Sequence, residues 1–177
     1  MMRRFLLCNL FLLILFLSVG TIRLVAQESL DGRSVAFRDQ LLDNLVGDWK
    51  LTRKIRGQSV ENIVHVEWVL NHQFLRIHMK DAANPPVYEA MVFVGYDNAS
   101  ERYVAHWLDN FGGRFSETLG YGTRSGDSIK FVFEYPDGPF HNTFTWSPST
   151  KRWSFLLEQK NNAYAWVVFA EDALRRP

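Results

Sequence analysis

From residue 128 onward, apolar and polar positions alternate with a period of two. Ile129, Phe131, Phe133 and Tyr135 fall on one side of such a ribbon, and Ser128, Lys130 and Glu134 fall on the other. Trp153, Phe155 and Leu157 oppose Ser154 and Glu158 in the same way. Successive side chains of an extended strand point to opposite faces, so this is the pattern of strands with one buried face. The same beat predicts ten strands, over 47–56, 59–70, 73–80, 87–96, 101–109, 114–122, 128–135, 140–146, 151–159 and 163–170. Turn residues fill the breaks, among them Gly57-Gln58, Gly112-Gly113, Ser125-Gly126-Asp127, Asp137-Gly138-Pro139 and Asn161-Asn162. Breaks this short join antiparallel neighbours, and no interval is long enough for a crossover helix.

Upstream the period changes. In "SVAFRDQLLDNL" (34–45), Phe37, Leu41 and Leu45 recur every fourth residue, which predicts one short helix with Ser34 as its N-cap. Ten strands joined only by hairpins leave two unpaired edges unless the sheet closes on itself. The predicted fold is therefore all-β, an up-and-down antiparallel barrel of about ten strands with one short N-terminal helix. A two-layer sandwich is the competitor, but it normally needs Greek-key connections and none is visible. About eight strands are just filled by side chains, so ten leave a cavity unless large residues plug it.

The chain begins "MMRRFLLCNLFLLILFLSVG": Arg3 and Arg4, then an almost wholly apolar run from Phe5 to Gly20. At about 1.5 Å per residue that run falls short of the ~20 residues that span a bilayer. A basic start followed by a short apolar run is the order of a secretory signal peptide, with Ala26 near the cleavage point. The expected division is a signal peptide over 1–27, an N-terminal segment and helix over 28–45, and the barrel over 46–177, with a periplasmic or secreted mature protein. Cys8 sits in the apolar run behind Leu7, where a lipoprotein motif wants a small residue. No cysteine follows it, so disulfides, thiolate metal sites and cysteine nucleophiles are excluded beyond the leader.

Charge narrows the partners. Removing Arg3, Arg4 and Arg23 with the leader leaves 17 basic against 19 acidic residues, a formal −2. No clustered basic patch points to nucleic acid. No membrane association is expected once the leader is gone, and the sequence does not fix an oligomeric state. Phe, Trp and Tyr supply 23 of the 150 residues after position 27, an excess that favours strands and a wide interior.

Three stretches carry a family resemblance. "LVGDW" (45–49) resembles the Gly-x-Trp signature on the first strand of lipocalin-like, or calycin, barrels. "VEWVLNHQFLRIHM" (66–79) and "VGYDNASERYVAHWLDNFGGRFSETLGYG" (94–122) are similar to the lipocalin-like family catalogued as domain of unknown function 1579. The resemblance implies a calycin-type barrel with no established activity, and an arginine, here Arg175 or Arg176, packed over Trp49. Related ten-stranded barrels include the haem-binding nitrobindins, whose axial histidine lies near the last strand. The last strand here, within "AYAWVVFAEDALRRP", follows His141 and has no histidine, so no haem or other cofactor is expected.

The polar residues supply the candidate chemistry. His65, Glu67, Arg76 and His78 share parity on two strands joined near Asn71; opposite them run Val64, Val66, Trp68, Leu75, Ile77 and Met79. The apolar side should face inward, so a solvated face of cross-strand pairs is the reading, and no metal site. On the fifth strand both faces are largely apolar: His106 goes with Val104 and Leu108, while Trp107 goes with Tyr103, Ala105 and Asp109. The favoured reading turns His106 inward as a polar contact for a ligand, with Asp109 at the strand end and Ser116 or Thr118 meeting His106 across the hairpin. A Ser–His–Asp triad is disfavoured because there is no Gly-x-Ser-x-Gly elbow, so no catalytic residue is assigned. Gly120 and Gly122 are read as relief for strand bending at a barrel corner.

The function these readings favour is the binding of a small, largely apolar molecule in the interior of an extracytoplasmic barrel. Its polar contacts would come from His106, Asp109, Ser116, Thr118 and His141, and its apolar wall from Trp107, Phe131, Phe133, Phe155 and Trp166. The alternatives are a hydrolase or isomerase using His106 with Asp109, and a non-catalytic interaction module recognised by an exposed apolar patch.

Overall fold

The computed structural model describes residues 36–177. The leader expected over 1–27 and the capping residue Ser34 lie outside the described residues. Ten antiparallel strands form one closed barrel: β1 (Gly47–Ile55), β2 (Gln58–Val69), β3 (Phe74–Asp81), β4 (Glu89–Asp97), β5 (Arg102–Asp109), β6 (Leu119–Ser125), β7 (Ser128–Tyr135), β8 (Gly138–Ser147), β9 (Arg152–Lys160) and β10 (Trp166–Arg175). Each strand pairs with its sequence neighbours. β1 and β10 close the ring in register from Lys50↔Arg175 to Ile55↔Ala170, so no edge is left open.

Three boundaries differ from the sequence expectation. The helix α1 spans only Gln40–Asp43, because the Asp39 carboxylate accepts the Leu41 and Leu42 N–H groups at 2.8 and 3.1 Å and fixes the start there. Phe37 lies ahead of it, stacked on Tyr96 and edge-on to Trp68. The stretch from 114 to 118 is not strand. Gly112 takes φ +95°, a single 3₁₀ turn covers Gly113–Phe115, and β6 starts only at Leu119. At the C-terminus, Asn161 Oδ1 accepts the Ala163 and Ala165 N–H groups, which holds 161–165 as a turn and delays β10. "EDALR" is thereby the second half of the closing strand.

The barrel is solid at one end. Trp49, Leu51, Val66, Leu75, Ile77, Met79, Ile129, Phe131, Phe144, Trp153 and Phe155 are buried there. Phe144 stacks on Phe155 at 3.9 Å between centroids, and Phe131 meets Phe144 edge-on. The segment carrying α1 covers this end. Trp49 Nε1 donates to Leu45 O at 2.6 Å, and Tyr103 donates to the buried Asp39 carboxylate, which Arg124 also approaches. Of the two C-terminal arginines it is Arg176 that lies over Trp49, 3.7 Å from the ring centre, while donating to Val46 O at 2.9 Å. Gly47 is required there by its φ of +112°, and it leaves room for the Arg176 guanidinium, which would lie 2.5 Å from a Cβ.

Gly120 and Gly122 serve packing. A Cβ on Gly120 would lie 2.5 Å from the Phe133 ring, and one on Gly122 would lie 2.7 Å from Phe131. Two glycines on β6 thus make room for two phenylalanines on β7.

Candidate functional site

The other end of the barrel is hollow. A cavity of about 750 Å³ opens among the β1–β2, β3–β4, β5–β6, β7–β8 and β9–β10 connections, opposite the end that α1 covers. That volume falls within the range of small-molecule sites. An aromatic series runs along its wall: Phe133 stacks on Tyr135, Tyr135 meets Phe140, and Phe140 meets Phe169, with centroid separations of 5.6, 6.3 and 5.5 Å. Phe111, Phe115 and Val87 are exposed at the mouth.

Polar groups are built into this apolar chamber. Arg53 Nε and Nη2 each donate to one carboxylate oxygen of Asp172 at 2.7 Å, a bidentate pair. The Asp172 side chain is fully buried, and that of Arg53 is 11% exposed. Burial opposes the guanidinium charge, but the paired carboxylate outweighs it and holds the Arg53 pKa above its ordinary value. The guanidinium also lies 5.4 Å from the Tyr88 ring centre. Trp107 Nε1 donates to the Tyr88 hydroxyl at 3.1 Å. Asp81 Oδ2 accepts the Val87 and Tyr88 N–H groups and so anchors the β3–β4 connection. Asn62 and Asn142 are almost completely buried, line the chamber, and have side-chain carbonyl oxygens without a partner.

Burial also acts on the acids here. The Asp109 carboxyl pKa is raised by desolvation, although it accepts the Phe111 N–H at 3.1 Å. The Tyr135 hydroxyl is pushed up to about 12 by burial, with Asp109 and Tyr88 adding to it.

The structure sorts the residues anticipated from sequence. Trp107, Asp109 and Phe133 line the chamber. Phe131 and Phe155 belong to the packed layer, not to the lining. His106 points outward, because the buried side chains of β5 are Tyr103 and Ala105 and parity sends position 106 the other way. Its Nε2 donates to Ser116 O at 2.7 Å, so it does meet Ser116, but through the main chain and on the outside. Ser116 and Thr118 lie in the connection before β6, off the chamber. His141 and Trp166 stack on each other on the outer face, 3.5 Å apart, and do not line the chamber. Burial, with Lys130 nearby, lowers the His141 pKa. Because His106 and Asp109 project from opposite faces of β5, they do not form a catalytic pair.

The second strand pair matches its expected face. His65 stands opposite His78 and Glu67 opposite Arg76, with an Arg76–Glu67 ion pair and His65–Asp48 and His78–Glu89 contacts on the outside. Among the described residues no group of three or more His, Cys, Asp or Glu is placed to hold a metal ion.

The residues that sequence reading missed are Arg53, Asn62, Tyr88, Asn142 and Asp172. A signal was available. Arg53 shares parity with Trp49 and Leu51, Asn142 with Phe144, and Asp172 with Leu174. A polar residue on an otherwise apolar face of a strand is placed inside at a cost, which marks it as a candidate contact.

A closed ten-stranded barrel, packed at one end and hollow at the other, fits a lipocalin-like architecture. Residues 38–153 match the model of a protein family of unknown function, DUF1579, and the chain belongs to that family. A comparison with curated proteins finds no match. Among solved structures, Rv2717c from M. tuberculosis is similar with a TM-score of 0.51, at 14% identity over 78% of this chain and 96% of that one. At that identity the likeness is one of fold.

Proposed function

We propose that this protein binds a small, largely apolar molecule in the open half of its barrel and does so outside the cytoplasm. The observation that carries the first part is the chamber of about 750 Å³, walled by aromatic side chains and fitted with a few buried polar groups. Apolar wall supplies affinity through burial, and sparse polar groups fix orientation. The basic start and the short apolar run from Phe5 to Gly20 support the second part. Among the described residues no helix is long and apolar enough to cross a membrane. Native mass spectrometry of gently purified protein tests the proposal. A bound species of a few hundred daltons, released by organic solvent, is the expected result. A bare chain that also takes up no apolar probe would defeat it.

A further inference from the structure

The chamber holds hydrogen-bond donors that nothing in the protein accepts from, and no buried cation without a counter-charge. Arg53 spends Nε and Nη2 on Asp172, and Nη2 also reaches Met79 Sδ at 4.0 Å, while Nη1 has no acceptor among the described residues. Arg53 lines the cavity and its side chain keeps 11% exposure, so the Nη1 N–H groups are open to a guest. The Asn62 and Asn142 oxygens, by contrast, are sealed from it. Tyr88 lies beside the guanidinium, with 5.4 Å from its ring centre to the guanidinium carbon. Its hydroxyl accepts the Trp107 Nε1–H at 3.1 Å, and its own proton has no acceptor among the described residues. Asp81 and Asp109 line the same space, and their carboxylates already accept main-chain N–H groups of Val87, Tyr88 and Phe111. Arg56, Lys160 and Asp137 line it too, but all three are exposed, where water screens their charges.

Resting on the binding reading above, we infer that the chamber selects apolar molecules bearing an uncharged carbonyl, a ketone, ester or amide, that accepts from Arg53 Nη1 and the Tyr88 hydroxyl, over the matching carboxylates and hydrocarbons. A carbonyl oxygen has two lone pairs, so it can take both donors, and it brings no charge. A hydrocarbon of the same shape strips water from the Nη1 N–H groups and gives nothing back, which is costly for a charged donor. A carboxylate accepts as readily but must shed its hydration. The one cation it meets inside is already balanced by the fully buried Asp172, and the other ionisable groups lining the interior are the acids Asp81 and Asp109.

Equilibrium dialysis of the full chain at neutral pH tests this with three probes substituted at one ring position: acetonaphthone, ethylnaphthalene and naphthoate. They share an aromatic body suited to the wall and differ in acceptor and charge. Acetonaphthone is expected to bind at least about tenfold more tightly than either of the others, the equivalent of one hydrogen bond to a charged donor. The double replacement Arg53→Met with Asp172→Leu removes that donor and leaves no unpaired charge behind. It should bring acetonaphthone to within about threefold of ethylnaphthalene, without weakening ethylnaphthalene. Tyr88→Phe keeps the Arg53–Asp172 pair intact and should weaken acetonaphthone by about three- to fivefold, again sparing ethylnaphthalene. Ethylnaphthalene bound as tightly as acetonaphthone, naphthoate bound most tightly, or a ketone preference that the double replacement leaves intact would each overturn the inference and leave the chamber reading standing. Binding of none of the three to the parent chain would overturn both.

Discussion

Replacing Asp172 with Asn removes the charge that faces Arg53 while keeping the side-chain shape. The pair is bidentate at 2.7 Å, with Asp172 fully buried and Arg53 nearly so. At an effective dielectric of about 20, two unit charges roughly 4 Å apart attract by ~4 kcal/mol, against ~1 in water. Breaking a buried pair from one side costs about 3–5 kcal/mol, because the remaining charge is left uncompensated. The edge of Arg53 that reaches the chamber keeps some solvation, so the lower end applies, about 3 kcal/mol. For a domain of this size that corresponds to a fall in Tm of roughly 6–12 °C. Thermal and urea unfolding followed by circular dichroism measure it. The double replacement Arg53→Met with Asp172→Leu removes both charges and should come back to within about 1 kcal/mol of the parent. A loss below about 1 kcal/mol in the single variant would refute the reasoning, since the pair would then behave as a solvated surface bridge. A double variant as unstable as the single would refute it too.

Other outcomes follow from particular contacts. Gly122→Ala places a methyl 2.7 Å from the fully buried Phe131 ring and 3.2 Å from Tyr103 Cβ, and should cost about 1–3 kcal/mol in urea unfolding. Burial raises the Asp109 pKa above its unfolded value, so the folded state holds that proton more tightly and stability falls as pH rises through this window. Asp109→Asn should therefore be more stable than the parent at neutral pH, with the difference vanishing below the ordinary carboxylate range; a constant offset across pH would contradict this. Recovered from its own host and sequenced from the N-terminus, the protein should begin within a residue or two of Gln27 if the leader is removed as proposed, and recovery with Met1 intact would end the leader reading.

Much of the fold was legible because closure is a matter of count and connection length. Alternation fixed which side of β7 and β9 faces inward, and short breaks made every neighbour antiparallel. The errors fell where local chemistry overrides alternation. Asp39 captures the first helical N–H groups and shortens the helix, and after Gly112 with its positive φ "GRF" forms a 3₁₀ turn. That second effect also broke the anticipated contact set, since Ser116 and Thr118 no longer occupy a strand. On β5 both faces carry apolar residues, so parity left His106 undecided, and chemistry alone suggested the wrong side. The buried polar residues are a different case. Arg53, Asn62, Asn142 and Asp172 sat on apolar faces in plain view, but Arg53 and Asp172 lie 119 positions apart and only the β1–β10 closure makes them partners.

The central claim is that the open half of the barrel is a chamber for an apolar guest. Titration with the neutral, polarity-sensitive dye Nile red, in the parent chain and in Val60→Trp, tests it most directly, because Val60 lines the cavity and a tryptophan there would occupy it. The account predicts saturable fluorescence enhancement in the parent and at least a tenfold weaker response in the variant, with circular dichroism and unfolding unchanged or improved. Equal enhancement in both proteins, or none in the parent, would contradict it.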